Sequence, residues 1–142
     1  LCLPLAVSQF FHLRSAWHMQ NGRIEVYRQV GQWLKQNAAP QARVAALEIG
    51  AIGYYSRRPM VDFAGLLQKD SRKALALGSY DAAAVAILKK YPPDYVVLID
   101  YAFPQLEQSE LINTCQGVLY FPPGKYEFGV KLVACHAPRA VP

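Results

Sequence analysis

Three carboxylates, Glu48, Asp62 and Asp100, each stand at or just past the end of a run suited to a β-strand. The runs are Arg43 to Leu47, Met60 to Phe63 and Tyr95 to Ile99. In a parallel sheet all three acids line one edge, which is where open α/β sheets bind ligands. Tyr54, Tyr55, Arg57 and Arg58 follow closely in the chain and are expected near that edge. Carboxylates beside aromatic rings suit sugar hydroxyls, and two converging carboxylates suit a divalent cation. The structural alternative is that such acids cap helices or pair with Arg57 and Arg58, because helix N-termini attract carboxylates without any ligand.

Other chemistry has less support. There is no G-x-S-x-G nucleophile elbow, no H-E-x-x-H zinc helix and no Walker phosphate loop. His12, His18 and His136 are scattered, so no metal ligand set is expected. The stretch from Glu48 to Gly53 follows a strand as a dinucleotide fingerprint would, but Glu48 stands where the first glycine belongs. A carboxylate there repels a pyrophosphate, so NAD binding is rejected and no cofactor is expected. Gly50 and Gly53 are read as steric: a tight strand-to-helix turn, and a helix lying close on the sheet.

Cys2, Cys115 and Cys135 lack the spacing of zinc or thioredoxin-type sites. If 115–121 and 128–135 pair around Pro122-Pro123-Gly124-Lys125, the register that sets Val118 opposite Leu132 and Tyr120 opposite Val130 also sets Cys115 opposite Cys135. A bridge there implies an oxidising compartment. Two buried free thiols are the alternative.

The elements that must position these residues follow from periodicity. Ile24, Tyr27, Gly31 and Leu34 recur at helical spacing over 23–37, flanked by Val26, Val30 and Trp33, with Asn37 and Pro40 as the stop. A short helix is predicted over Ile49 to Ser56, and one capped by Asp70 or Ser71 and running through Leu77. Gly78-Ser79 breaks that helix, and Asp81 to Tyr91 forms the next, with Ala84, Ile87 and Leu88 inward. Pro92-Pro93 ends it, and Tyr95 to Ile99, apolar throughout, is predicted as a strand covered on both faces. A helical turn around Gln105 to Ile112 precedes the terminal hairpin. Strands alternating with helices predict a three-layer α/β domain: a mostly parallel sheet, helices on both faces and a C-terminal antiparallel hairpin.

At 142 residues the chain is the size of one domain, long enough to bury a core without metal or disulfide. Hydrophobic residues at 53% against 18% charged exclude a disordered chain. The net charge of +5 invites a nucleic-acid reading, but the basic residues occur singly or in pairs such as Arg57-Arg58 and Lys89-Lys90, so no nucleic-acid partner is expected. A mildly basic surface equally suits anionic headgroups. The start, LCLPLAVSQFF, is shorter than the roughly 18 apolar residues of a membrane span. Together with the absence of a starting Met, it suggests the end of a membrane helix, with His12, Arg14, Trp17 and His18 at the interface. A terminal helix packed on the domain is the alternative.

The block WLKQNAAPQARVAALEIGAIGYYSRRPMVDFAGLL, residues 33–67, resembles the segment after the last membrane helix of bacterial and archaeal GT-C class glycosyltransferases that use polyprenyl-phosphate sugars. The corresponding residues are Trp33-Leu34, then Glu48, Gly50, Gly53, Tyr54 and Tyr55 in an acidic-x-Gly-x-x-Gly-Tyr-Tyr turn. Pro59, Asp62, Gly65 and Leu66 follow in a Pro-x-x-Asp-x-x-Gly-Leu strand, and Pro93 to Val97 is similar to the family's third strand. The resemblance covers about half the chain. It implies residues 1–20 as a membrane-proximal stub and 21–142 as a single extracytoplasmic domain. No catalytic residue carries over, because the family's catalytic acid lies early in its membrane portion. The implied partners are the membrane portion of the same polypeptide and an acceptor glycan or protein. The rival readings are a sugar- or partner-binding module using Tyr54, Tyr55 and Arg57, and a small metal-dependent hydrolase using Glu48, Asp62 and Asp100.

Overall fold

The computed structural model describes residues 3–76, 78–100, 102–123 and 129–135. Leu77, Gly124, Lys125, His136 and the side chains of Trp17 and His18 lie outside the described residues. Helix α1 spans Leu3–Asn37 as one continuous helix, so no break separates the apolar head from the amphipathic segment. Its inward stripe is Tyr27, Val30, Gly31 and Leu34, all buried; Ile24, expected on that stripe, is half exposed because it lies where α1 runs past the sheet. Asn37 ends the helix by turning its side-chain amide back onto the Trp33 carbonyl at 2.8 Å.

Strand β1, Val44–Ala46, is short and wholly buried. Helix α2, Ile49–Ser56, is closed by Arg57 in the left-handed conformation, with φ 54° and its N–H donating to the Gly53 carbonyl at 2.9 Å. Strand β2 is Met60–Asp62. Helix α3, Lys69–Ala76, starts before the two residues expected to cap it: Asp70 and Ser71 lie inside its first turn and bond across the fold. Helix α4, Tyr80–Lys90, takes Ser79 as its cap, the Ser79 hydroxyl accepting from the Ala82 N–H at 3.2 Å, and buries Ala84, Ile87 and Leu88. Strand β3, Tyr95–Ile99, is buried along its length. Short helices α5, Pro104–Glu107, and α6, Glu110–Asn113, lead to β4, Gln116–Phe121, and β5, Val130–Ala134.

The five strands form one mixed sheet in the order β2-β1-β3-β5-β4. β1 pairs in parallel with β2 and β3, while β5 pairs antiparallel with β3 and β4. The expected mostly parallel sheet is therefore corrected to an even mixture, because β5 inserts beside β3 and carries β4 to the outer edge. Side chains alternate across the sheet. Val44, Ala46, Tyr95, Val97, Val130 and Leu132 pack with α1 and Ile52 of α2, whereas Ala45, Val61, Val96 and Leu98 pack with α4 and with Phe103 and Leu106. The chain moves from β1 to β2 over the first face and from β2 back past β1 to β3 over the second. Reversing direction and face together keeps both crossovers of one hand.

The α1–α2 contact depends on a missing side chain. A Cβ at Gly31 would lie 2.7 Å from Tyr55 Cβ and 3.1 Å from the Ile52 carbonyl oxygen. Alanine is a better helix former than glycine by about 1 kcal/mol, yet Gly31→Ala is expected to destabilise the chain by about 1–3 kcal/mol through overpacking. A urea unfolding midpoint at or above that of wild type would refute the close approach.

The register of the last two strands explains a misplaced side chain. Gln116 pairs with Ala134 and Gly117 with Val133, the register that aligns the cysteines, but a bulge at Val118 then shifts the partners by one. Leu119, not Val118, faces Leu132, and Phe121, not Tyr120, faces Val130. A one-residue slip moves side chains to the other face. Tyr120 is thereby turned away from the α1 side and set opposite Lys131. Cys115 and Cys135 are joined in a disulfide just beyond the paired residues.

Candidate functional site

Parallel pairing on both sides of β1 sets Glu48, Asp62 and Asp100 at the C-terminal edge of that part of the sheet. They do not act as one group: among the described residues, no three acidic, histidine or cysteine side chains gather as a metal ion would require. Each acid has partners of its own.

Glu48 precedes α2 without capping it through its side chain. It reaches instead to α1, where Arg23 Nη2 donates to its Oε1 at 2.8 Å. Both side chains are nearly half exposed, so the pair contributes little energy.

Asp62 is fully buried and its carboxylate is occupied. Oδ1 accepts from the Ala64 N–H and Oδ2 from the Leu67 N–H, each at 2.7 Å. Its own N–H donates to Gln68 Oε1 at 2.9 Å, and its carbonyl accepts from the Ser71 hydroxyl. Gly65 completes the turn with φ +76°, and a Cβ there would sit 2.8 Å from the Arg72 nitrogen. The Asp-x-x-Gly-Leu pattern is thus a loop-building device: short polar side chain, left-handed glycine, return of the chain. Its product is an outward-facing pair, Leu66 and Leu67, 77% and 66% exposed.

Asp100 lies just past β3 with its side chain only 8% exposed. Its Oδ2 accepts from the Tyr120 hydroxyl at 2.8 Å. Its Oδ1 is 3.1 Å from Lys131 Nζ, an ion pair. Lys131 also faces Glu107 Oε2 at 3.7 Å, and Glu107 Oε1 is buried with no hydrogen-bond donor. The Lys131 ammonium pKa is raised, first by the Asp100 carboxylate beside it, against the opposing pull of partial burial, with the Glu107 charge assisting. A Cβ at Gly129 would meet the ends of the Asp100 and Tyr120 side chains, which would have to shift to admit it. Asp100, Pro104, Glu107, Gln108, Tyr120 and Lys131 enclose a pocket of about 410 Å³.

Tyr54, Tyr55 and Arg57 lie elsewhere. Helix α2 starts at the C-terminal edge of β1 and runs back along the sheet, so its last residues reach the opposite edge. There the Arg58 guanidinium donates to the Lys35 and Ala38 carbonyls at 2.9 and 2.7 Å, and the Pro59 carbonyl accepts from the Val44 N–H at 2.9 Å. Tyr54 is 76% exposed and meets Tyr55 edge-on, with ring centroids 5.1 Å apart. The steric reading of the glycines divides likewise. Gly53 lies close to Met60, where a Cβ would be 3.1 Å from Met60 Cγ, whereas a Cβ at Gly50 would meet open space.

Sequence reading singled out Asp100 but missed Glu107, Tyr120 and Lys131. Lys131 carried the available signal, as a lone charge inside the apolar run Val130 to Ala134. Tyr120 carried none, because the bulge that turns it is not readable from alternation.

No curated protein and no solved structure matches the chain. A family model does match, over residues 13–136, from within α1 to just past the second bridged cysteine. That span takes in all five strands and the pocket around Asp100, and the chain belongs to the family described as Domain of unknown function (DUF8728).

Proposed function

We propose that this chain is a non-catalytic extracytoplasmic domain of an integral-membrane glycosyltransferase that transfers sugar from a lipid-linked donor. The observation that carries the reading is the use made of Asp62 and Gly65, the acid and glycine of the family-like block. Both serve to build a loop, and that loop lifts Leu66 and Leu67 at the edge where Arg23 of α1 meets Glu48. From Arg23 the helix continues back to Leu3, about 30 Å beyond the sheet at 1.5 Å per residue. The membrane portion of the same polypeptide is then the domain's first partner, reached through α1.

Other features support the placement. Lys69, Arg72 and Lys73 are exposed just after the leucine pair, which suits a surface facing anionic headgroups. The Cys115–Cys135 disulfide suits an oxidising compartment. Among the described residues no helix is long and apolar enough to cross a membrane. The three-layer architecture and closing hairpin are supported by the two apolar clusters on opposite sheet faces and by the bridged β4–β5 pair.

The test is transfer from a radiolabelled polyprenyl-phosphate sugar by the full-length protein in detergent and by the 142-residue chain alone. Transfer by the first and none by the second is expected. Activity of the isolated chain would remove the non-catalytic reading, and an inactive full-length protein would remove the glycosyltransferase.

A further inference from the structure

The pocket around Asp100 has the chemistry of a binding site rather than of a structural ion pair. An ion pair that existed for folding would be expected to satisfy its buried oxygens, because an orphaned acceptor costs more than a formed bond returns. Here Glu107 Oε1 is buried without a hydrogen bond, Asp100 Oδ1 has the Lys131 ammonium at 3.1 Å, and both residues line the same cavity. The cavity, at about 410 Å³, is within the size range of small-ligand sites. It sits past the end of β3, at the edge where open α/β sheets take ligands.

The lining selects the ligand. Among the described residues that line it, two carboxylates against one ammonium repel phosphate and other anions. The Lys131 ammonium, within 4 Å of both carboxylates, repels a divalent cation. What remains complementary is a neutral group bearing several hydroxyls: hydroxyl hydrogens for Asp100 Oδ1 and Glu107 Oε1, and oxygen lone pairs for Lys131 and the Gln108 amide. Tyr120, half exposed, stands at the pocket rim. The bulge at Val118 is what brings that ring here, as bulges near functional sites commonly re-aim a side chain.

We propose that the pocket formed by Asp100, Glu107, Gln108, Tyr120 and Lys131 binds a neutral sugar residue of a glycan. The site stands on its own geometry and does not require the parent protein to be a glycosyltransferase. It is distinct from the Tyr54, Tyr55 and Arg57 surface, which lies toward the other edge of the sheet.

The test uses the 142-residue chain, titrated by NMR with methyl glycosides of mannose, glucose and galactose, with glycerol and inorganic phosphate as controls. Saturable shifts at the amides of residues 100, 107, 120 and 131 are expected with at least one glycoside and with neither control. Glu107→Gln is expected to weaken that binding roughly tenfold or more. It should move the urea midpoint only slightly, by less than about 1 kcal/mol, since the Glu107–Lys131 pair is long and partly exposed. Gln108→Ala, at an exposed position, is the second variant should Glu107→Gln unfold, and Tyr54→Ala is expected to bind as wild type. The proposal is overturned by no saturable shift with any glycoside, by equal shifts with glycerol, or by binding that survives both pocket substitutions. Phosphate binding in place of glycoside binding overturns it as well. None of these results bears on sugar transfer by the full-length protein, so the two readings fail separately.

Discussion

Asp62→Ala lowers the unfolding free energy of the chain by about 3–5 kcal/mol, because it leaves two loop N–H groups without acceptors at roughly 1–3 kcal/mol each and opens a small void besides. The groups are those of Ala64 and Leu67, both bonded to the carboxylate at 2.7 Å. Asp62 itself is fully buried, so its carboxylate is the acceptor that the loop folds around. Asp62→Asn separates charge from shape. The amide keeps one acceptor oxygen but presents its NH₂ to the second backbone donor, so a loss of about 2–3 kcal/mol remains. Urea unfolding followed by circular dichroism measures both. A carboxylate kept for chemistry behaves in the opposite way, since functional residues are often held at a cost to stability and their removal tends to stabilise. An Asp62→Ala midpoint equal to or above that of wild type would return Asp62 to the list of functional acids. The same loop predicts its readout: once the cradle is lost, Leu66 and Leu67 no longer have a fixed position at the edge beside α1.

What was legible in the sequence divides along a physical line. Elements set by local pattern were readable, such as α2 over Ile49–Ser56 and β3 over Tyr95–Ile99, because apolar runs with glycine and proline boundaries leave few alternatives. Residues whose partners are distant were misread. Asp70 resembles a helix cap, yet its carboxylate accepts from Lys90 and Tyr91, some twenty residues on. Tyr54, Tyr55 and Arg57 were placed beside Glu48 by nearness in sequence, but a helix following a strand runs back along it and carries them toward the far edge. Glu48, Asp62 and Asp100 were legible as a row at one edge, because strand ends are local and parallel pairing does the rest. Their roles were not, since role depends on what the neighbouring loop and strands bring: Arg23, two backbone amides, and Tyr120 with Lys131, respectively. The hairpin register was half legible for the same reason. Cysteine alignment fixed its open end, and a single extra residue changed every partner beyond it.

Reduction of Cys115–Cys135, or its replacement by alanine at both positions, costs about 3 kcal/mol of stability in the chain-entropy account of a loop of this length. The bridge closes a loop between residues 20 apart. It ties the start of β4 to the end of β5, and among the described residues β4 is the outermost strand, hydrogen-bonded in the sheet only to β5. Without the bridge the outer strand is the first part of the sheet able to open, and Tyr120 leaves Asp100 with it. The loss therefore has two readouts that should move together: a lower urea midpoint on adding dithiothreitol, and greater amide exchange along 116–121 than along β3. Dithiothreitol should leave the double alanine variant unchanged, which separates the bridge from any other effect of the reductant. A wild-type midpoint insensitive to reductant would show that β4 is held by packing alone. About 3 kcal/mol is roughly a hundredfold in the ratio of folded to unfolded chain, so a reducing compartment weakens this fold at the strand that completes the Asp100 pocket, whereas an oxidising one keeps that pocket assembled.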